Sequence, residues 1–159
     1  MNLDVHDLVK IRAERPGLVA ELAAARRVPT GLSGTTGRLF LVAADHTARG
    51  ALRAGDDPMA MGDRFRLLER LATALARPGV DGVLGTPDII EDLLLLGALE
   101  DKVVVGSMNR GGLAGTSFEI DDRFTAYDAA AIAEAGYQGG KMLLRIDPED
   151  LATAATLEA

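Results

Sequence analysis

Leu39-Phe40-Leu41-Val42-Ala43-Ala44-Asp45-His46 is an unbroken apolar run that stops at two titratable residues. A short run without polar alternation is the pattern of a strand covered on both faces, the usual state of strands in parallel sheets. Downstream the pattern recurs. Residues 80–85 form a weaker strand candidate, residues 102–109 a strong one, and Gly139-Gly140 leads into a fourth, Lys141-Met142-Leu143-Leu144-Arg145-Ile146. Helical spacing fills the intervals. Asp57-Pro58 reads as a cap and first helical position ahead of Met61, Phe65, Leu68, Ala72 and Leu75, with a stop near Pro78. Thr86-Pro87-Asp88 opens a helix through Ile89, Leu93, Leu96 and Leu99. A further helix is expected over residues 125–135, and Asp147-Pro148-Glu149-Asp150 opens the last.

Upstream, residues 3–15 and 16–27 carry apolar residues at helical spacing, and Pro16 suits the first position of the second helix. Residues 1–37 are therefore a helical lead-in, ending in a turn-rich stretch, and residues 38–159 are four strand-then-helix units. Such units give a parallel sheet, because each helix returns the chain to start the next strand in the same direction. An open doubly wound sheet and an eight-unit closed barrel both fit. The last helix lacks a glycine cap and a basic final turn, and a complete barrel needs about 250 residues. The expectation is α/β, of the TIM (βα)8-barrel type, with the chain covering its first half.

Composition narrows the function classes. The chain has 159 residues, 48% hydrophobic and 26% charged, with no cysteine and a formal net charge of -7. That is globular material, without a disulfide, thiolate zinc site or thiol nucleophile. Seventeen Lys and Arg dispersed among 24 acids do not form the basic surface a nucleic-acid partner needs. The start lacks the basic and apolar segments of a signal peptide, and no apolar stretch is long enough to span a bilayer. The expected location is cytoplasmic, with no membrane partner.

Chemistry in parallel α/β folds gathers at the carboxyl ends of the strands. Asp45 and His46 follow the first strand; Thr86 and Asp88 follow the second; Ser107, Asn109 and Arg110 end the third; Lys141 and Arg145 lie in the fourth. Alternation sets Met142, Leu144 and Ile146 against helices, and Lys141, Leu143 and Arg145 on the opposite face. An ammonium buried there is destabilised unless paired, which favours an amine that attacks carbonyls or moves protons. Lys141 equally suits a solvated rim or a simple ion pair. Arg145 adds a second cation, and two cations imply an anionic partner. Asp45 can accept from a substrate hydroxyl, pair with a lysine or cap a turn. His46 is an acid–base candidate or an ordinary polar loop residue.

Other motifs carry less. His6 and His46 lie in unrelated segments, and Glu119, Asp121 and Asp122 supply too few regularly spaced oxygens for calcium, so no metal site is expected. Gly111-Gly112-Leu113-Ala114-Gly115-Thr116 suits a loop over the site or a phosphate wrap, without a P-loop ending. There is no Gly-x-Ser-x-Gly elbow.

Ala44-Asp45-His46-Thr47-Ala48-Arg49-Gly50 resembles the Asp-Gln-Arg-Gly-type segment after the first strand of tagatose-bisphosphate aldolases. Gly140-Lys141-Met142-Leu143-Leu144-Arg145-Ile146-Asp147-Pro148 is similar to their Lys-x-Leu-Leu-Tyr-Tyr-x-Pro strand. The resemblance runs from about Leu39 to the end. It points to the class I aldolase group that includes deoxyribose-phosphate aldolases, and within it to actinobacterial proteins encoded with inositol-catabolism genes. It implies a (βα)8 barrel and cofactor-free, Schiff-base cleavage of a carbon–carbon bond in a phosphorylated sugar or sugar acid. It also implies that Asp45 is the carboxylate near the substrate hydroxyl and Lys141 the inward lysine of the fourth strand. The family's Schiff-base lysine stands on a later strand, around the sixth, which leaves Lys141 an auxiliary acid–base role and this chain inactive alone. Arg145 replaces a family tyrosine and His46 a glutamine; with Ser107 and Asn109 they form the expected substrate-binding set. The expected assembly is a homo-oligomer or pairing with the other half-barrel. A non-catalytic fragment or anion-binding module is the alternative.

Overall fold

The computed structural model of the chain describes residues 4–32, 37–109 and 124–158. A 3-10 turn at Val5–Asp7 leads into α1 (Leu8–Glu14) and α2 (Leu18–Ala25). Then follow β1 (Leu41–Ala44), a 3-10 turn at Thr47–Arg49, α3 (Arg64–Leu75), β2 (Gly82–Gly85), α4 (Pro87–Leu95), β3 (Val103–Ser107), α5 (Ala129–Glu134), β4 (Gly139–Lys141) and α6 (Ala152–Glu158). The strands form one four-stranded sheet in the order β1-β2-β3-β4, all neighbours parallel. The order has no reversal of the kind that marks a doubly wound sheet. Consecutive right-handed crossovers place their helices on one face of such a sheet.

Burial separates the two faces. Ala44, Val83 and Val104 are buried in one cluster with Leu68, Leu71, Ile90, Leu93 and Ile132 of the helices. Leu84, Val105 and Lys141, on the other face by register, are only partly covered, and Ala43 is exposed. On the helix side a row of small residues crosses the sheet, Ala44 beside Gly85, Gly85 beside Gly106 and Gly106 beside Gly140. The row admits the helical layer at close range. A Cβ on Gly106 would stand 2.6 Å from the Tyr127 ring, and one on Gly140 2.7 Å from Ile132 Cδ1.

The lead-in is fastened by arginines. Asp92, 2% exposed on α4, receives Arg12 of α1 on one oxygen and Arg64 of α3 on the other. Arg12 also reaches Glu91 at 2.8 Å. At the far end of α2, Arg26 is 5% exposed and donates to the carbonyls of Lys102 at 2.7 Å and Gly136 at 3.1 Å. It thereby ties α2 to the chain entering β3 and β4.

Several expected boundaries move, for local reasons. Both Asp-Pro pairs make tight turns and do not cap helices: Asp57 accepts from the Met59 N–H and Asp147 from the Glu149 N–H. The helix expected from Asp57 begins at Arg64, where Asp63 accepts from the Arg66 N–H. Pro16 precedes α2, whose cap is Gly17. The helix expected over residues 125–135 is shorter, opening at the Asp128 cap. The fourth strand runs through Gly139–Lys141 and does not continue to Ile146. The reason is Asn109, whose side-chain amide donates to the Leu143 carbonyl and accepts from the Leu143 N–H, both at 2.9 Å. A side chain thus replaces the next rung of the ladder, and the two-face alternation expected over residues 141–146 has no strand to carry it.

Candidate functional site

Asp45 follows β1 directly and shares the phase of Leu41 and Ala43, which turns its carboxylate onto the face away from the helices. Lys141 is the last residue of β4 and pairs in register with Ser107 of β3. The Lys141 ammonium donates to Asp45 Oδ2 at 2.8 Å. Three strand spacings separate β1 from β4, about 14 Å in a flat sheet. Contact at that span means that both side chains reach inward across the ends of β2 and β3.

The pair is unequally shielded, with Asp45 retaining 7% side-chain exposure and Lys141 30%. Burial pushes the Asp45 carboxyl up. The hydrogen bond and charge of Lys141 outweigh it, with His46 and Arg49 adding to the effect, and hold the group below the ordinary aspartate value. The carboxylate is thus kept ionised beside Lys141. His46 Nδ1 lies 3.7 Å from Asp45 Oδ1. It is more exposed than Asp45, standing at the cap of the turn that follows β1.

Beside this pair a cleft of about 520 Å³ is lined by Ala48, Thr86, Asp88, Ser107, Asn109 and Thr125, among others. Ser107, 2% exposed, donates to the Asn109 carbonyl at 3.1 Å. Asp88 accepts from the Thr86 hydroxyl and from Arg64. Burial raises its carboxyl, but those partners prevail and hold it low. The cleft therefore offers hydroxyls and a fixed carboxylate close to the Asp45–Lys141 pair.

Of the sequence-predicted site residues, Asp45, Lys141 and His46 come together, and Ser107 stands beside Lys141 in register. Asn109 lines the cleft, with its amide committed to Leu143. Arg145 lies beyond the end of β4, partly buried. The Gly-rich segment and Arg110, Glu119, Asp121 and Asp122 fall outside the described residues. Among the described residues no group of three or more His, Cys, Asp or Glu side chains could hold a metal ion. No helix among them is long and apolar enough to cross a membrane. Sequence reading missed the Arg64–Asp88 and Arg64–Asp92 contacts; the only signal was an arginine on a helix facing an acidic helix start.

The fold and site define an α/β protein with an ammonium–carboxylate pair at the carboxyl ends of parallel strands. A family model described as Cgl0159-like matches residues 37–159, and the chain belongs to that family. The crystal structure of Cgl0159 from Corynebacterium glutamicum (Brevibacterium flavum) is similar over 96% of this chain, at 57% identity and a TM-score of 0.89. The match covers 52% of that protein, so the chain spans about half its length. No curated protein matches the chain.

Proposed function

We propose that this chain is the first half of a (βα)8 barrel and carries part of the active site of a class I aldolase. The observation that carries the reading is the Lys141–Asp45 hydrogen bond, which sets an amine and a carboxylate at the carboxyl ends of the outer strands, on the face away from the helices. Sequential strand order and the half-length match to Cgl0159 support the barrel.

In the full-length protein an amine from a later strand attacks the carbonyl of a phosphorylated sugar or sugar acid and, with loss of water, forms an iminium. The iminium withdraws the electron pair of the adjacent carbon–carbon bond. As that bond breaks, the hydroxyl on the departing carbon gives up its proton and becomes a carbonyl. Asp45, the ionised member of the pair, takes this proton, and the Lys141 ammonium gives one to the remaining enamine and recovers it from Asp45. The remaining enamine takes a proton, and water releases the product. Lys141 is an acid–base group here and not the covalent lysine.

The test is a retro-aldol assay of the full-length protein on phosphosugars and sugar acids, followed by Lys141→Met. The reading expects cleavage in the wild type and a loss of 10²-fold or more in kcat, roughly the worth of a positioned acid–base group. Binding of the same compounds without cleavage favours the anion-binding module.

A further inference from the structure

One register position beyond the row of small residues, a second row crosses the carboxyl end of the sheet. Asp45 follows Ala44, Thr86 follows Gly85, and Ser107 pairs with Lys141. By strand alternation this row stands on the face away from the helices. Its ends are the Asp45–Lys141 ion pair; its middle is two hydroxyls, Thr86 at 6% exposure and Ser107 at 2%. Both line the cleft of about 520 Å³, and Asp88 lines it with them at 56% side-chain exposure.

The direction of each hydroxyl proton is forced. Thr86 bonds the ionised Asp88 carboxylate and Ser107 the Asn109 carbonyl, and those two groups only accept. Thr86 and Ser107 therefore donate into the protein and leave lone pairs for the cleft. Asp88 accepts from Thr86 on Oδ1 and from Arg64 on Oδ2, and, half-exposed, it keeps room for a further donor. Asn109 has its amide committed to Leu143. Charge points the same way. Glu91, Arg12, Asp92, Arg64 and Asp88 form an alternating chain in which three carboxylates meet two arginines, and Asp88 is its end at the cleft. The unmatched negative charge opposes a phosphoryl or carboxylate ligand and favours one that brings hydrogens.

We propose that Asp88, Thr86 and Ser107 form a subsite for the neutral, hydroxylated part of a polyol or sugar chain, with Asp88 and Thr86 selecting hydroxyls against phosphate. A hydroxyl gives its hydrogen to the waiting oxygens, whereas a phosphoryl group brings only more oxygens and negative charge. The row sets the bound chain beside the Asp45–Lys141 pair, and a phosphoryl or carboxylate end of the substrate lies outside this cleft. That the polyol belongs to a cleaved substrate rests on the aldolase reading; the choice of hydroxyls over phosphate does not.

Xylitol and inorganic phosphate are titrated separately into the full-length protein, with the methyl resonances of Thr86 and Ala48 as probes inside the cleft. Xylitol is expected to move both resonances saturably and phosphate to leave them in place. Asp88→Asn is expected to weaken xylitol binding about tenfold or more, the worth of a hydrogen bond to a charged group, and to relax the exclusion of phosphate. Thr86→Val, read through Ala48, is expected to weaken it several-fold, and Thr86→Ser, which keeps the hydroxyl, to restore it. Resonances that xylitol leaves unmoved, or that phosphate moves at equal or lower concentration, overturn the proposal even if the variants fail to fold. Folded Asp88→Asn and Thr86→Val proteins with wild-type affinity overturn it too. Borohydride trapping with carbonyl substrates is scored separately. Xylitol binding without trapping keeps the subsite and removes the aldolase reading, and trapping without xylitol binding does the reverse.

Discussion

Lys141 Nζ donates to Asp45 Oδ2 at 2.8 Å, linking the ends of strands that lie at opposite edges of the sheet. The bond joins residues far apart in the chain and makes the site depend on the whole sheet. Lys141→Met leaves a buried carboxylate unpaired. It should destabilise the protein by about 1–3 kcal/mol, toward the lower figure because Lys141 keeps 30% side-chain exposure. Asp45→Asn in the same chain should recover part of the loss, and urea denaturation of the double-mutant cycle measures the coupling.

Acid should weaken the pair in a defined direction. The Asp45 carboxyl is held below its ordinary value in the folded protein, so its contribution is fully present above the unfolded value, about 3.9, and disappears as pH falls through the folded value. Asp88 behaves in the same sense. Denaturation curves between about pH 2 and pH 5 should show a shallower acid loss for Asp45→Asn than for the wild type. Parallel curves would mean that Asp45 does not titrate differently on folding.

The buried Asp92 should be the costliest of the helix-face charges to remove. Asp92→Ala takes one partner from each of Arg12 and Arg64, which keep Glu91 and Asp88, and a loss of about 1–3 kcal/mol is expected, with the midpoint of denaturation shifted at unchanged slope. Arg15→Ala is the contrast. Its partner Glu21 is exposed and the pair should contribute under about 1 kcal/mol.

Asn109 should prove a strand substitute. Asn109→Ala removes both bonds to Leu143, and hydrogen exchange at the Leu143 amide should accelerate about tenfold or more. Exchange confined to the wild-type rate would show that the segment after β4 is held by something else.

The row of small residues gives a packing test. Gly106→Ala forces the Tyr127 ring aside and disturbs its edge-on contact with Tyr137, whose centroid is 5.7 Å away. A cost of about 1–3 kcal/mol and a changed near-ultraviolet tyrosine signal are expected.

The strands were legible because residues 39–44, 80–85 and 102–109 are short apolar runs separated by helical spacing, and Asp45 was legible because it interrupts one of them. Whether Asp45 meets a substrate, a lysine or a turn stayed open in the sequence, and the register of β1 and β4 decides it in favour of Lys141. The exact end of β4 was not legible, because it is set by the side-chain amide of Asn109, two residues past the end of β3. Helix starts after Asp57 and Asp147 were misplaced because an Asp-Pro pair serves a turn as readily as a cap, and only the next hydrogen bond distinguishes them. Nothing in the sequence singled out Arg26 and Asp92, since burial of a charged residue depends on partners distant in the chain.

Borohydride trapping of the full-length protein with candidate phosphosugars and sugar acids, followed by peptide mapping, tests the central claim most directly. A reduced adduct on a lysine beyond residue 159, absent from Lys141 and diminished in Asp45→Asn, is the predicted result. No adduct across the panel, or an adduct on Lys141 itself, would contradict the roles assigned to the pair.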